Sequence, residues 1–209
     1  MRTLADVGEF GLIDRVARLA ARGPRSRAVV LGIGDDAALL RARAREDVAV
    51  TTDAFVEGVH FRLDQETPRT AGRRALVANL SDLAAMGARP LGFTCALAAP
   101  SGTPLRRVLA LARGLVDEAL RHDCPWVGGN VTRAGELSLA IAALGAVPRG
   151  AALRRDGARP GDRILVTGSL GGAALARARG RVRRVPEPRL RAGRALRGRA
   201  TACIDLSDG

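Results

Sequence analysis

The sequence predicts a mixed α/β (α+β) protein, in which an N-terminal mixed sheet packed by helices is followed by an incomplete second α/β domain. Three observations predict it. Short apolar runs alternate with longer segments of helical periodicity, turns rich in glycine and proline separate them, and no segment repeats another. With 209 residues, 47% of them apolar, the chain can bury one large core or two smaller ones.

The elements follow in order. Residues 9–22 place Phe10, Ile13, Val16, Leu19 and Ala20 at helical spacing until Gly23-Pro24 stops the pattern. A strand at 28–31 runs into GIGDD, an apolar run at 37–40 follows, and 47–53 reads as a third strand, so acidic residues sit at strand ends. Thr67 is an N-cap ahead of Pro68, and its helix runs through Ala75, Leu76, Asn79, Leu80 and Leu83 toward Gly87. Residues 91–99 are nearly all apolar, which predicts a strand covered on both faces. Pro104 opens a long helix ending near His122, and 126–132 and 137–147 are two more strands. Pro148-Arg149-Gly150 marks a boundary that divides the chain into 1–148 and 149–209. Beyond it, 163–167 reads as a strand entering the glycine turn GSLGG and a helix, and 202–206 as the last strand.

Composition excludes several classes. No run of 18 apolar residues exists and acidic residues interrupt the N-terminus, so the expectation is a soluble cytoplasmic protein without a membrane partner. Cys95, Cys124 and Cys203 are far apart and lack CxxC spacing, which argues against zinc or a disulfide framework. The net charge of +13 is concentrated: residues 177–199 hold ten arginines and one glutamate, a local net of +9. The chain contains no lysine, so its basic residues are all arginine, and nucleic-acid binding through 177–199 is a minor alternative.

Four short acidic motifs carry the chemistry: GIGDD at 32–36, TTD at 51–53, LSD at 80–82 and DLSDG at 205–209. Each singly is compatible with an ordinary Asx or glycine turn. Carboxylates beside buried segments are costly to desolvate, and if they converge they repel one another unless cations intervene. Magnesium prefers oxygen ligands and commonly bridges carboxylates to phosphates, so the set suits a nucleotide phosphate site. GIGDDA mimics a dinucleotide fingerprint but places two carboxylates where a pyrophosphate would lie, and a P-loop needs a lysine that this chain lacks. The remaining phosphate-binding features are the glycine turn after Val166, the turn Gly128-Gly129-Asn130, and arginines such as Arg155.

In order, GEFGLI, GIGDDAALL, TTDAFVEGVHF, NLSDLAAMGA, VGGNVTR, RRDGARPGDRILVTGSLG and IDLSDG resemble the thiamine-monophosphate kinase family over nearly the whole chain. The Asp-rich segments are shared more widely with aminoimidazole ribonucleotide synthetase and selenophosphate synthetase, which are the alternative enzymes. The resemblance implies ATP-dependent phosphorylation of thiamine phosphate to thiamine diphosphate by direct in-line transfer, in a homodimer formed through the N-terminal sheet. By similarity, Asp36, Thr51, Thr52, Asp53, Asp82, Asn130, Asp205 and Asp208 fall on positions tied to magnesium. Gly129, Asn130, Arg155 and Ser207 would meet ATP, and His60 the acceptor. Two departures stand out. Asn130 replaces the aspartate of many members, a neutral and weaker ligand, and the family continues beyond DLSDG, so a truncated second domain and an inactive fragment are a further expectation.

Overall fold

The structure, a computed structural model, describes residues 2–34, 37–179 and 185–206. Helix α1, Leu4–Ala20, begins five residues before the apolar periodicity does. The Thr3 amide donates to the Asp6 carboxylate at 2.7 Å, which satisfies an amide at the helix entrance. Gly8 interrupts the helix at φ +65°, a conformation open to glycine at little cost. Strands β1, Val29–Leu31, and β2, Leu39–Leu40, form a two-stranded antiparallel ribbon flanking GIGDD.

The principal sheet has four strands: β3 (Glu46–Val56), β4 (Arg89–Ala99), β5 (Trp126–Arg133) and β6 (Ser138–Pro148), in the order β3-β6-β4-β5. β6 is antiparallel to both neighbours, and β4 and β5 run parallel, joined by a crossover helix as parallel strands require. β3 continues three residues past Asp53, so this carboxylate lies within a strand instead of at its end.

Two long helices cover one face. Helix α2, Pro68–Ala85, is capped by the Thr67 hydroxyl, which accepts from the Thr70 amide at 3.1 Å, and Gly87 at φ +67° ends its last turn. Helix α3, Leu105–His122, is ended by Asp123 in the left-handed region. The two cross at glycines: a Cβ on Gly72 would strike the Leu111 carbonyl, and one on Gly114 the Arg69 carbonyl. Arg69 grips Asp117 with two bonds of 2.6 and 2.9 Å. Beside it, fully buried Glu118 accepts from Arg73 at 2.5 Å and lies 3.1 Å from His122. Leu76, Leu80, Leu83, Leu111, Leu115, Phe93, Leu139 and Ile141 fill the layer between helices and sheet, each completely or almost completely buried. At about 2 kcal/mol per buried side chain, this layer supplies the main driving force for the helix-on-sheet arrangement.

The opposite sheet face is open. The rows Thr52–Ala142–Thr94 and Ala54–Ala140–Ala96–Asn130 lie on it, and Ala54, Ala140, Ala96 and Asn130 are all exposed. The apolar run of β4 is therefore covered on one face only, because an uninterrupted apolar strand marks what a face can bury and not what lies on it.

Past β6 the chain returns to α2. The Leu153 amide donates to the Met86 carbonyl at 3.2 Å, and a short 3-10 turn follows at Arg155–Gly157. The seven-residue helix α4, Gly172–Ala178, forms as expected, but the strand expected at 163–167 does not. Ile164 and Leu165 stand 92% and 86% exposed, with no neighbouring strand among the described residues to take their backbone bonds. Residues 202–206 also stay outside any strand, for the same reason. Helix α5, Leu190–Leu196, carries part of the arginine-rich stretch and docks on α2 through buried Leu190 and Gly193, where a Cβ would meet the Ala84 carbonyl. Among the described residues no helix is long and apolar enough to cross a membrane.

Candidate active site

Strand alternation decides which predicted residues can meet. In β3, paired without a break along β6, Thr51, Asp53 and Phe55 point to the helix-covered side, and Thr52 to the open side. From α2, Asp82 receives a hydrogen bond from the Thr51 hydroxyl. Asp205 reaches the same neighbourhood because its segment is tied back: the Cys203 amide donates to the Arg154 carbonyl at 3.1 Å, and Gly157 packs on the Thr201 backbone.

Asp53, Asp82 and Asp205 interact electrostatically. Burial first, then the charges of Asp82 and Asp205, push the Asp53 carboxyl above the usual carboxylate range, and nearby His60 opposes the shift. Asp53 thus feels two other acidic motifs, one on α2 and one near residue 205, and their charges oppose its ionisation. The donor set is all oxygen and strongly anionic, which fits a hard divalent cation and does not fit a soft metal. Among the described residues, no three carboxylate, histidine or cysteine side chains are close enough to enclose a metal ion by themselves. Asp36, Ser207 and Asp208 lie outside the described residues.

Other predicted residues fall elsewhere. Asn130, on β5, faces the open side of the sheet across three strand spacings, about 14 Å, from the β3 edge. Thr52 shares that open face, so neither its hydroxyl nor the Asn130 amide joins Asp53 within one chain. Gly129 has a steric reason to be glycine, since a Cβ there would land on the Cys95 carbonyl of β4. Arg155 is exposed in the 3-10 turn that lies against the Asp205 segment.

His60 sits in a tight turn after β3. Its amide donates to the Val56 carbonyl at 2.8 Å, and its Nδ1 accepts from the Val56 amide at 3.1 Å. The ring stacks on Phe55, with centroids 5.7 Å apart, and Phe55 stacks on Phe61 at 5.3 Å. Sequence reasoning missed two residues here, Glu66 and Arg74, which form a mostly buried ion pair beneath the turn. The available signal was the doublet Arg73-Arg74 in a helix otherwise rich in small and apolar residues.

Residues 34–147 match the family model described as AIR synthase related protein, N-terminal domain. The thiamine-monophosphate kinase of Escherichia coli K12 is 42% identical over 219 residues, covering 97% of this chain and 66% of that protein. The crystal structure of the thiamine-monophosphate kinase from Stenotrophomonas maltophilia K279a superposes with a TM-score of 0.80 at 40% identity, covering 97% of this chain and 69% of that one. The chain belongs to the thiamine-monophosphate kinase family. A further family structure, AaThiL complexed with AMPPCP and TMP, matches with a TM-score of 0.68 at 29% identity over 97% of this chain and 66% of that one. The chain spans 59% and 66% of the length of the first curated family members it matches. The matched region includes the helix-covered sheet.

Proposed function

We propose that this chain supplies the nucleotide- and metal-binding part of an enzyme that transfers the γ-phosphoryl group of ATP to thiamine phosphate, giving ADP and thiamine diphosphate. The observation that carries the reading is that Thr51 donates to Asp82 while half-buried Asp53 feels the charges of Asp82 and Asp205, a repulsion that a bound cation would relieve. The structure of a relative with AMPPCP and TMP supports the substrate pair. Asp53, Asp82 and Asp205, with Asp36 and Asp208, would hold magnesium, whose role when bound is to neutralise charge between the phosphates. Thr51 fixes the Asp82 carboxylate by donating to it. Gly129, Asn130, Arg155 and Ser207 are the proposed contacts for ATP, and His60 for the acceptor. No covalent enzyme intermediate is required, because alignment and charge neutralisation suffice for direct in-line transfer.

The open sheet face supports a homodimer. A row of small residues including Ala54, Ala96 and Ala140, with Val50 67% exposed on the edge strand, is a surface that a second copy covers well. In that reading residues 1–148 form the dimerising, nucleotide-binding unit and 149–209 open a second one. A coupled ADP-release assay with ATP, magnesium and thiamine phosphate tests the activity; saturable ADP release that requires both thiamine phosphate and magnesium is expected, and its absence sinks the reading.

A second reading, binding without turnover, draws on the exposed apolar side chains of Ile164, Leu165, Ile204 and Leu206. Tight binding of ATP with magnesium, but no ADP release, favours it over the first.

A further inference from the structure

Arg74 joins three groups around the turn bearing His60. Its side chain is 12% exposed and pairs with Glu66, itself 7% exposed. The guanidinium lies 5.2 Å from the centre of the Phe55 ring, within cation–π range, and Nη2 donates to the His60 carbonyl at 3.3 Å. One planar fork thus spans the loop acid, the aromatic stack and the turn backbone, which a point charge does less well. The turn itself is closed by the Gly58 amide donating to the Phe61 carbonyl at 2.8 Å, with Gly58 at φ +85°.

The histidine is held from both sides. Because Nδ1 accepts from the Val56 amide, it carries no proton in this arrangement, and the ring proton resides on Nε2. The exposed His60 ring therefore offers an Nε2–H donor in the electrostatic neighbourhood of Asp53. An N–H donor beside an acidic, cation-demanding site suits a phosphate oxygen of the acceptor.

We infer that Arg74, anchored by Glu66, is a positioning residue that fixes the His60 turn and its Nε2–H tautomer for acceptor binding. The inference rests on the proposed acceptor role of His60, but its first readout does not. Histidine occurs only at positions 60 and 122, so ring nitrogen shifts in the ¹⁵N-labelled chain are assignable with a His60→Gln control. The decisive variant is Arg74→Met with Glu66→Gln, which keeps side-chain volume and strands no buried charge. The expected result is a cooperatively melting protein in which His60 shifts from one tautomer to a mixture. Thiamine monophosphate affinity falls about tenfold in the same variant, while ATP affinity holds. Arg74→Lys, which retains a donor and a charge but not the planar fork, restores only part of both.

A folded double variant with an unchanged His60 tautomer overturns the inference, as does a parent chain whose His60 carries its proton on Nδ1. Should the double variant not fold, Glu66→Gln alone decides: a smaller change in the same direction supports positioning, and none refutes it. If the parent binds no thiamine monophosphate, the acceptor assignment fails, and the nitrogen shifts still decide what Arg74 does.

Discussion

The Gly114→Ala substitution separates two effects of opposite sign at the α2–α3 crossing. Alanine in a helix interior is favoured over glycine by about 1 kcal/mol, so an unconstrained site would be stabilised. At Gly114 the new methyl would overlap the Arg69 carbonyl and press on the Arg73 amide, and neither backbone atom can rotate aside. The helices must separate by roughly 1 Å, thinning contacts along the buried layer of Leu76, Leu111 and Leu115; overpacking of this kind costs roughly 1–3 kcal/mol. Because the clash is with main chain, the upper part of that range applies. The net loss is about 2 kcal/mol, a fall in Tm of about 4–8 °C for a chain of this size. Differential scanning calorimetry reads it directly. Gly11→Ala in α1 is the internal control: its Cβ would meet only the Val7 Cβ, at 3.5 Å, so stabilisation by about 0.5–1 kcal/mol is expected. A Gly114→Ala protein as stable as the parent refutes the steric argument, and so does a loss of equal size at Gly11.

Three more expectations follow from charge and burial. Asp53 has a raised folded pKa, so the native state holds that proton to higher pH than the unfolded chain, and stability falls as pH rises between the two values. Asp53→Asn therefore raises the melting temperature of the metal-free chain at neutral pH. It also abolishes a magnesium-induced gain that, at about a hundred times Kd, amounts to about 2.7 kcal/mol in the parent; a variant that keeps this gain removes Asp53 from the metal site. Burial opposes ionisation of Glu118, but hydrogen bonds from His122 and Arg73 and the charges of Arg73 and Arg121 outweigh it, so its carboxyl sits below the ordinary value of 4.5. Stability that is full above that pH is lost as pH falls through the lower folded value; a Glu118→Gln protein, weaker at pH 7, shows a flatter acid limb in denaturant melts, and equal slopes count against the argument. Burial pushes the Cys95 thiol up to about 12 and Cys124 higher still. A thiol reagent at pH 8 should therefore label only half-buried Cys203 in the native chain and all three residues in guanidinium; rapid native labelling of three contradicts the packing.

Much of the fold was legible because local chemistry specified it. Thr67-Pro68 is a cap whose hydroxyl and ring act on their own turn, and Pro104 and the periodicity to His122 define α3 with no reference to the rest of the chain. The segment 163–167 misled because a strand is not a local object: β-branched residues favour it, yet only a partner can satisfy its backbone. The site was legible in part. TTD places three oxygen-bearing side chains in succession, but a strand turns alternate residues to opposite faces, so Thr51 and Asp53 could share a pocket and Thr52 could not. That constraint was present in the letters themselves. The pairing of Glu66 with Arg74 was not, since eight residues and a turn between loop and helix separate them.

The position of α2 explains why packing and chemistry are coupled in this chain. Along one helix, Gly72 admits α3, Arg74 secures the His60 turn, Asp82 joins the carboxylates, and Ala84 seats α5; just past its end, the Met86 carbonyl anchors Leu153. Helical spacing aims these residues at different neighbours, so no one of them can move without the axis moving. A shift of α2 forced at Gly114 must therefore displace Asp82 relative to Asp53, which is fixed in β3 by its ladder with β6. The carboxylate spacing that a cation would sense is in this way set by a glycine contact on the far side of the helix. Cation binding would then depend on the same element that makes the close helix crossing.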